Sequence, residues 1–496
     1  MEFSQYQKAI FEWVQAHVET KGALIVEAVA GSGKTTTIVE AANLIPTDHK
    51  AVFLAFNKKI SVELGEKLPS HIESKTMNAL GWALLRRRLN LDFNAIDANK
   101  TRILIDKHLN DDAQKVKPEL ASLIAKAKAY GLVPYGMDIH APGTYIATRE
   151  RWTMLMEKFD IDSGCIEEGE FLLWADAILQ HGITDTSIVD FDDQLYLPVA
   201  LDLGAWRYDW IIVDEAQDVS HVQRQLLKMF LKSNGRIIAV GDRHQAIYGF
   251  RGADSSSMDN IAKVFKAEQL DLSICYRCPK SVVEIAKQYV PQIEAADDAA
   301  EGQVLHPTSF SVADFTEEDL VVCRNTAPLI ELAYRCIGEG FPVHVMGRDI
   351  GKGLINLIKK VAGKRTTDME RFVERLIEWQ ERENRKAKDD EAKQAAIGDK
   401  VNSIEAIRRA SEAATVKELI SAVERIFSDQ GKGVTLATVH KAKGMEANRV
   451  FILEPQLMPS KWARQQWQIE QEANIIYVAV TRALETLVYL PLDIVE

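Results

Sequence analysis

The sequence predicts an α/β protein in which short buried strands, typical of parallel sheets, alternate with helices. Four short apolar runs in the first half have the length and composition of such strands, at residues 23–26, 51–55, 210–213 and 237–240. The first run leads into a glycine-rich loop and then into a helix-forming stretch, and a second alternation of strands and helices begins after residue 253. In this second part we expect strands at residues 320–323, 341–345 and 434–438 and helices at residues 281–289 and 472–483. We expect functional side chains at the carboxyl ends of these strands, where open α/β sheets bind their ligands.

Length and composition indicate a globular protein of several domains. At 496 residues the chain is too long for one hydrophobic core, and about three or four domains are expected. Its 47% hydrophobic and 27% charged residues are typical of globular proteins. The net charge of −12 argues against a protein that coats nucleic acid over its whole surface. It is compatible with a local basic groove, because steering depends on where the charges lie.

The chain shows no targeting or membrane signal. No apolar run approaches the length of a membrane span, and the first residues lack the basic and apolar regions of a secretory signal. The five cysteines are scattered, which suggests a reducing compartment. Cys275 and Cys278 form a lone CxxC pair, a pattern that does not favour zinc. We therefore expect a cytoplasmic protein without a membrane partner.

The glycine-rich loop after the first strand has the sequence of a phosphate-binding P-loop. Gly31 and Gly33 allow the backbone to curl so that successive N–H groups face a phosphate, and the next helix adds its positive N-terminal end. Lys34 can reach the β- and γ-phosphates, and the Thr35 hydroxyl can hold Mg²⁺. Ala28 stands in the place of the usual first glycine, and a plain glycine turn is the alternative interpretation. The residues expected to bind the nucleotide here are Ala30, Gly31, Ser32, Gly33, Lys34, Thr35 and Thr36.

Other polar residues near strand ends suit nucleotide hydrolysis. Asp214 and Glu215 follow the third apolar run, and two adjacent carboxylates are costly unless a cation such as Mg²⁺ lies near. Asp214 is expected to hold the metal, and Glu215 to orient or deprotonate the attacking water. Gln245, after the fourth run, is placed to sense the γ-phosphate. Gln7, upstream of the first strand, offers an amide that suits the edge of an adenine, although most glutamines are surface residues.

Aromatic residues beside polar and basic ones suggest contacts with a nucleic-acid strand. Phe56 and Asn57 follow the second apolar run together with two lysines. The phenylalanine ring could stack on a base of the strand, and the lysines could contact its phosphates. Tyr248, Phe250 and Arg251 share one loop and have the chemistry of a single-strand stacking platform. The alternative for the first group is a helix start with a solvated lysine pair.

Two mainly helical regions interrupt the predicted sheets. The first runs from about residue 84 to residue 186 and opens with three consecutive arginines, which form either a solvated face or a contact for phosphates. The second covers residues 352–429 and combines an apolar helical face with a nearly all-charged stretch at 381–393. That stretch is expected to be a solvated helix or a mobile segment.

Taken in chain order, the motifs resemble the UvrD/Rep branch of superfamily 1 DNA helicases. The quoted motifs lie between Gln7 and Arg482, so the resemblance covers nearly the whole chain. An Ala-Phe-Asn-Lys stretch and the compact second insertion are most similar to the F-box DNA helicase sub-branch, and we expect no F-box segment ahead of the motor. The motifs are Ala-Gly-Ser-Gly-Lys-Thr, Asp-Glu-Ala-Gln-Asp, Gly-Asp-x-x-Gln-x-Ile-Tyr, Thr-Val-His-Lys-Ala-Lys-Gly and Tyr-Val-Ala-Val-Thr-Arg-Ala.

This resemblance implies two RecA-like P-loop NTPase domains, each with a mainly helical insertion. It further implies that ATP lies between the domains and that single-stranded DNA crosses their tops. The expected first domain covers residues 1–84 and 187–252, with its insertion at 85–186. The expected second domain covers residues 253–351 and 430–496, with its insertion at 352–429.

The resemblance also implies roles for residues later in the chain. Tyr276 matches the tyrosine that stacks on adenine, and Glu446 matches the acidic residue near the ribose. Arg277 and Arg482 match two arginines that reach the γ-phosphate from the second domain. The implied catalytic set is Lys34, Glu215, Gln245, Arg277 and Arg482.

Contacts with DNA are implied at eight positions. Two residues depart from the usual pattern: Asn78, which lies near one of these positions, stands where relatives often have histidine, and Phe250, which is one of the eight, stands where many have tryptophan. The implied DNA contacts are Phe56, Asn57, Thr76, Tyr248, Phe250, Arg251, Thr438 and His440.

The implied activity is an ATP-dependent DNA helicase or translocase that uses ATP and Mg²⁺. It would move 3′ to 5′ on single-stranded DNA and unwind duplex at single-strand/duplex junctions.

One alternative is a single-strand-dependent ATPase that displaces proteins from DNA with little unwinding. A metabolic P-loop NTPase would need neither Phe250 nor a second α/β unit. The motor half of a helicase-nuclease is a third alternative, although only a short tail follows Arg482. A structural DNA-binding protein would not need paired arginines aimed at a phosphate.

Overall fold

The structure is a computed structural model that describes residues 2–159, 161–247, 256–363, 368–387, 391–427 and 431–495. Contacts between residues divide the chain into two units. The first comprises Met1–Ala28 and Gly33–Leu272, and the second comprises Val29–Ser32 and Ser273–Glu496.

Helices and strands alternate along the first unit. Its elements are α1 (Gln5–Ala16), β1 (Gly22–Ala28), α2 (Lys34–Asn43), β2 (Ala51–Ala55), α3 (Lys58–Lys67), β3 (Ile72–Thr76), α4 (Met77–Leu89), α5 (Lys100–His108), α6 (Lys117–Ala129), β4 (Leu132–Val133), β5 (Tyr145–Ile146), α7 (Arg149–Phe159), α8 (Glu168–Thr184), α9 (Asp193–Ala200), β6 (Tyr208–Val213), α10 (His221–Phe230), β7 (Leu231–Gly241), α11 (Ser257–Phe265) and β8 (Glu268–Leu272).

A parallel sheet forms the core of the first unit. In the described part of the chain its strand order is β3-β2-β6-β7-β1-β8. Strands β2 and β6 are buried on both faces, which is why all of their residues except Asp209 are apolar. Val26 lies opposite Val240, and Val213 lies opposite Ala239. This register brings the carboxyl ends of β1, β6 and β7 to one edge of the sheet.

A helical region between β3 and β6 has a hydrophobic core of its own, built largely from α5 to α9. Four buried charged side chains are found among the described residues of this region. Lys100 Nζ is 2.7 Å from Asp193 Oδ2, and Lys128 Nζ is 2.7 Å from Asp190 Oδ2 and 2.8 Å from Asp193 Oδ1. Charges removed from water are tolerated only when they are paired in this way. The cluster therefore fixes the segment that enters α9 against α5 and α6.

Strands and helices also alternate in the second unit. Its elements are β9 (Ile274–Cys275), α12 (Lys280–Ala286), β10 (Glu294–Ala295), β11 (Gln303–Leu305), β12 (Leu320–Cys323), α13 (Thr326–Gly338), β13 (Val343–Val345), α14 (Arg348–Ala362), α15 (Met369–Ala387), α16 (Glu391–Ser411), α17 (Val416–Ile426), β14 (Val434–Thr438), α18 (Val439–Ala442), β15 (Ala447–Leu453), α19 (Gln466–Val480) and β16 (Ala483–Leu490).

The second unit is built on another parallel sheet. The order of its described strands is β11-β16-β15-β12-β14-β13. Helices α14 to α17 lie between β13 and β14 in the chain and bury one apolar face each. The buried residues recur at helical spacing, and examples are Leu354 and Ile358 in α14, Phe372 and Leu376 in α15, Ile404 in α16, and Leu419 and Val423 in α17.

The predicted α/β class with parallel sheets is confirmed, and the two sheets are consistent with two RecA-like domains. Three predicted strands have the expected bounds: Ala51–Ala55, Leu320–Cys323 and Val434–Thr438. Pro342 was expected inside a strand, but that strand begins only at Val343. Proline lacks the N–H that a ladder requires. Within the described ranges, none of the helices is long and apolar enough to cross a bilayer.

Some element bounds differ from the predicted ones. The helix expected at 281–289 spans Lys280–Ala286, and the helix expected at 472–483 spans Gln466–Val480. Strand β8 was not predicted, and it pairs with β1 although it lies beyond residue 252, the expected end of the first domain. The expected domain boundaries themselves stay a prediction.

Candidate nucleotide and nucleic-acid site

The P-loop has the backbone geometry that phosphate binding requires. Gly31 and Gly33 both have positive φ, 68° and 75°. Such angles favour glycine and allow the chain to turn sharply between β1 and α2. Gly33 caps α2, which begins at Lys34, and the side chains of Thr35 and Thr36 in its first turn are exposed. The N–H groups at this helix start are therefore available to an anion.

The remaining loop residues, Ala30, Gly31 and Ser32, group with the second unit. There the Ala30 N–H donates to the Tyr477 hydroxyl at 2.8 Å. The Ser32 hydroxyl is buried and has no hydrogen-bond partner among the described residues. A buried hydroxyl without a partner is unfavourable unless a ligand satisfies it. This orphaned group fits a loop that binds phosphate oxygens. Tyr477 begins one of the quoted motifs, where no role was predicted for it.

A chain of polar contacts joins the P-loop lysine to the ends of β6 and β7. Lys34 Nζ lies 3.7 Å from Glu215 Oε1. The Gln217 amide donates to Glu215 Oε2, and Gln217 Oε1 accepts from the Asp242 N–H at 3.0 Å. The Gln245 amide in turn donates to Asp242 Oδ2 at 2.8 Å. The structure therefore brings together Lys34, Glu215 and Gln245, which the sequence analysis predicted from three separate strand ends.

Asp242 is the buried centre of this arrangement. Burial raises the pKa of its carboxyl, and the nearby positive charge of Lys34 and the hydrogen bond from Gln245 oppose that rise. Asp242 lies within one of the quoted motifs, where no role was predicted for it. Its position next to Gln217 and Gln245 indicates that it holds both amides in place.

The acidic pair after β6 is held in a tight turn. The Glu215 N–H donates to Asp214 Oδ1 at 2.9 Å. Glu215 has φ 51°, the left-handed region, which costs a residue other than glycine about 1–3 kcal/mol. Such strain persists only where the surroundings enforce it, and it is common at functional sites. It turns the carboxylate of Glu215 towards Lys34.

Gln7 makes its described contacts inside the first unit. Its side-chain oxygen accepts from the Ser4 N–H at 3.0 Å and completes the capping box of α1. Its NH₂ group donates to the Thr37 hydroxyl at 2.9 Å, and Thr37 donates to the Gly33 carbonyl. These contacts link α1 to the P-loop helix. The expected contact between Gln7 and adenine stays a prediction.

Three of the predicted DNA contacts lie at neighbouring strand ends in the first unit. Phe56 follows β2, and 45% of its surface is exposed. Asn57 caps α3 by accepting from the Ile60 N–H, and Thr76 caps α4 by accepting from the Ala79 N–H. Because β2 and β3 are adjacent and parallel, these three residues share one edge of the sheet.

Next to them lies an exposed aromatic residue, Phe191, for which no DNA contact was predicted. The Asn78 amide donates to the Phe191 carbonyl at 2.8 Å, and Phe191 is 57% exposed. Residue 191 is far from residue 78 in sequence, so only the fold reveals this neighbour. Three other predicted contacts, Tyr248, Phe250 and Arg251, lie outside the described residues.

In the second unit, Tyr276 and Arg277 follow β9. Tyr276 is half exposed, and Arg277 Nε lies 2.7 Å from Glu446 Oε2. The flanking cysteines are both buried, and the Cys278 N–H donates to the Cys275 sulfur at 3.3 Å. Hydrogen bonding from Cys278 lowers the pKa of the Cys275 thiol to about 7 against the opposing effect of burial. The structure thus brings together Arg277 and Glu446, two residues predicted to face the nucleotide.

Arg482 is almost completely buried in the second unit, with 1% of its surface exposed. Its guanidinium donates to the Val478 and Met445 carbonyls at 2.8 and 3.2 Å and to the Thr481 hydroxyl at 3.1 Å. These bonds give the side chain a fixed orientation. The predicted contact between Arg482 and a γ-phosphate stays a prediction.

The predicted DNA contacts of the second unit lie at one strand end. Thr438 is the last residue of β14 and caps α18, and its hydroxyl makes no capping bond. His440 lies in α18. Lys441 beside it pairs with Asp349 at 2.6 Å, which ties this short helix to the start of α14.

Comparison with known proteins agrees with the ordered motifs. The sequence matches the UvrD/REP helicase N-terminal domain over residues 11–266 and the UvrD-like helicase C-terminal domain over residues 433–490.

Similar proteins include F-box DNA helicase protein 1 of Schizosaccharomyces pombe, which is 23% identical over 96% of this chain and 56% of its own length. ATP-dependent DNA helicase PcrA of Leuconostoc citreum is 24% identical over 68% of this chain and 47% of its own length. DNA helicase II of Haemophilus influenzae is 25% identical over 54% of this chain and 38% of its own length. The chain spans about half the length of the first two relatives. Because the match at residues 11–266 covers more than half of the 496 residues, the chain belongs to the UvrD/REP helicase family.

Proposed function

We propose that this protein is an ATP-dependent DNA helicase that moves 3′ to 5′ along single-stranded DNA and unwinds duplex at junctions. The observation that carries the proposal is the contact chain from Lys34 through Glu215, Gln217 and Asp242 to Gln245. This support consists of the P-loop lysine, a carboxylate and an amide in contact at one edge of a parallel sheet, in a chain of this family. The names of the relatives support the choice of DNA as the substrate.

The proposed roles in the first unit follow from position and chemistry. Lys34 binds the β- and γ-phosphates, and Glu215 orients the attacking water and accepts its proton. Gln245 contacts the γ-phosphate, and Gln7 contacts the adenine edge. The backbone from Ala30 to Thr36 surrounds the phosphates.

We propose that the Thr35 hydroxyl and the Asp214 carboxylate would hold Mg²⁺. The residues fit this ion, because Mg²⁺ prefers oxygen ligands and uses few protein side chains beside phosphates and water. The exposed Thr35 hydroxyl and an acidic side chain at the end of β6 supply such oxygens. When bound, the ion would neutralise charge on the β- and γ-phosphates.

In the second unit we propose that Tyr276 stacks on the adenine, that Glu446 contacts the ribose, and that Arg277 and Arg482 stabilise charge on the γ-phosphate. Support comes from the family motifs and from the pairing of Arg277 with Glu446. A nucleotide would offer Arg277 phosphate oxygens in place of this carboxylate. That exchange would make the position of Arg277 depend on the nucleotide.

The proposed path of the DNA strand uses residues at strand ends of both units. Phe56, Asn57 and Thr76 are supported by their shared edge in the first sheet, and Thr438 and His440 by the end of β14. Stacking on Phe56 would tolerate any base, so we expect no sequence preference. The proposed DNA contacts of Tyr248, Phe250 and Arg251 rest on the sequence alone.

The direction of movement is tested with two partial duplexes, one with a 3′ tail and one with a 5′ tail, each with ATP and Mg²⁺. We expect strand separation only from the 3′ tail. Separation only from the 5′ tail would refute the proposed polarity while leaving the ATPase site intact. ATP-dependent removal of a bound protein from single-stranded DNA, without strand separation, would favour the alternative displacement activity.

A further inference from the structure

Two cysteines that the proposed function does not use flank the Tyr276-Arg277 pair of the second unit. Cys275 is the last residue of β9, and Cys278 stands three positions later. The Cys278 N–H donates to the Cys275 sulfur at 3.3 Å, and a hydrogen bond between the two side chains also links them. A disulfide requires side chains that face each other across a short distance. These two already do so.

Of the two thiols, Cys275 is the better nucleophile. Hydrogen bonding from Cys278 brings the pKa of Cys275 to about 7, with help from the positive charge of Arg277 and against the effect of burial. A substantial share of Cys275 is therefore thiolate at neutral pH, and the thiolate is the form that reacts with oxidants. By contrast, burial raises the pKa of Cys323 to about 12 and that of Cys336 to about 11, so both stay protonated.

Cys275 packs against the backbone of the P-loop. A Cβ atom added at Gly31 would lie 3.0 Å from the Cys275 sulfur and 2.4 Å from the Arg277 Cβ atom, so only glycine leaves room for this contact. The Tyr276 N–H donates to the Gly31 carbonyl at 2.9 Å. A change in the position of the Cys275 sulfur would therefore act directly on the P-loop backbone.

Cys278 lies on the side of Arg482. Its thiol donates to the Thr481 carbonyl at 3.6 Å, and the Thr481 hydroxyl accepts from the Arg482 guanidinium at 3.1 Å. Oxidation removes the thiol proton, so the Thr481 carbonyl would lose this donor. A ring closed through both sulfurs would also restrict the backbone of Tyr276 and Arg277, which lie inside it.

We propose that Cys275 and Cys278 form a reversible disulfide when the chain meets a hydroperoxide, and that this bond lowers ATP turnover. The effect on turnover rests on the proposed roles of Tyr276 and Arg277 in ATP binding, whereas formation of the bond does not. Both cysteines are buried, but Tyr276 between them is half exposed, so the pair lies close to the surface. Hydrogen peroxide is close to water in size and needs only a small local opening to enter.

The bond forms in two steps. The Cys275 thiolate attacks one oxygen of hydrogen peroxide and breaks the O–O bond, which leaves a sulfenic acid on Cys275 and a hydroxide that takes up a proton. The Cys278 sulfur then attacks the Cys275 sulfur, and the hydroxyl group leaves as water with the Cys278 thiol proton. In sum, two thiols lose two electrons and two protons, and one peroxide becomes two waters. A dithiol such as dithiothreitol restores both thiols by exchange.

Peptide mapping tests whether the bond forms. The reduced full chain is exposed to hydrogen peroxide, its free thiols are blocked, and it is digested with trypsin without reductant. Trypsin cleaves after Lys266, Arg277 and Lys280, so the disulfide would join fragments 267–277 and 278–280. We expect the joined fragments to appear with peroxide and to separate with dithiothreitol. ATP turnover of the same samples should fall at least about tenfold at full joining, because small displacements of positioning groups are costly, and it should recover with dithiothreitol.

Two variants test the order of the steps. Cys275→Ser removes the nucleophile, so its turnover after peroxide should equal its own turnover before peroxide. Cys278→Ser keeps the nucleophile but cannot close the bond, so dimedone should label Cys275 as a sulfenic acid. Cys165→Ser is the matched control, because it removes the exposed cysteine. It should form the joined fragments and lose turnover as the unaltered chain does.

Peroxide that oxidises Cys165 without joining the two fragments would overturn the proposal, and this result depends on no variant. Full joining with undiminished turnover would overturn it as well, and so would an equal loss of turnover in Cys275→Ser. A reduced chain without DNA-stimulated ATP turnover would instead refute the proposed helicase function. The fragment map would then still decide on the disulfide, and affinity for an ATP analogue before and after peroxide would decide on its effect.

Discussion

Lys34 Nζ lies 3.7 Å from Glu215 Oε1, although the two residues follow different strands, β1 and β6. Both side chains are mostly buried, so each compensates a charge that would be costly alone. A triphosphate would offer Lys34 stronger partners and leave Glu215 to a water molecule. The pairing thus links nucleotide binding to the proposed catalytic base.

The first prediction concerns Glu215→Gln. The amide keeps the shape of the side chain but cannot accept a proton from water, so we expect ATP and Mg²⁺ to bind while hydrolysis becomes very slow. Steady-state turnover and nucleotide affinity are measured together. Glu66→Gln, an exposed change on α3, is the control and should hydrolyse ATP normally. A Glu215→Gln variant as fast as the control would show that another group accepts the proton.

Arg482→Ala should lower turnover by an arginine-finger factor, on the order of a thousandfold. The structure adds a second effect, because the Met445 carbonyl would lose the Arg482 donor, whereas the Val478 carbonyl would keep a hydrogen bond from the Thr481 hydroxyl. An unsatisfied buried group costs about 1–3 kcal/mol, so the unfolding midpoint should fall.

Arg277→Ala separates these two effects. Arg277 is partly exposed, and its loss should slow turnover with little change in the unfolding midpoint. Normal kcat in an Arg482→Ala variant that is merely less stable would assign Arg482 to the fold alone.

Phe56→Ala should weaken binding of single-stranded DNA by about 1–3 kcal/mol, the contribution of one stacked base. Because Phe56 is half exposed, the fold should persist, and ATP turnover without DNA should be unchanged. Fluorescence anisotropy with a labelled oligonucleotide measures the affinity. Phe56→Tyr retains a ring and should restore most of it. If the tyrosine variant binds as weakly as the alanine variant, stacking is not the interaction at this position.

Lys128→Ala should destabilise the helical region of the first unit by about 3–5 kcal/mol, because Asp190 and Asp193 lose a buried partner. Thermal unfolding measures the loss. Lys115→Ala, which removes an exposed pair with Asp112, should leave the midpoint nearly unchanged. Equal midpoints for the two variants would contradict a stabilising role for the buried cluster.

The same cluster predicts how stability depends on pH. Burial alone would raise the pKa of Asp190, but the charge and hydrogen bond of Lys128 outweigh it and hold that pKa below its ordinary value. The folded state therefore favours the carboxylate. Its contribution is present above the ordinary pKa of about 4 and is lost as pH falls through the lower folded value. As pH falls through this range, the unfolding midpoint of Lys128→Ala should therefore decrease less than that of the unaltered chain.

The sequence allowed prediction of elements that contain a continuous run of buried apolar residues, such as Ala51–Ala55 and residues 210–213 of β6. It did not reveal β8, whose sequence Glu-Gln-Leu-Asp-Leu contains only two apolar residues and lies at the sheet edge. Most of this edge strand is exposed, so it has no continuous apolar run by which it could be predicted.

Within the candidate site, the residue types were predictable but several of their contacts were not. Gln217 lies inside a quoted motif, yet its link between Glu215 and Asp242 depends on the register of β6 against β7. The contact of Cys275 with Gly31 joins segments far apart in the chain, so no local pattern indicated it. Long-range pairing of this kind is set by the fold rather than by spacing along the sequence.

The most direct test of the proposed function is ATP turnover by the purified chain with and without single-stranded DNA. We expect turnover that rises strongly when DNA is added and that falls to background in Lys34→Ala, whose DNA affinity stays largely intact. Lys21→Ala, an exposed change before β1, should behave like the unaltered chain. Turnover that does not respond to DNA, or that persists in Lys34→Ala, would contradict a DNA motor driven from this P-loop.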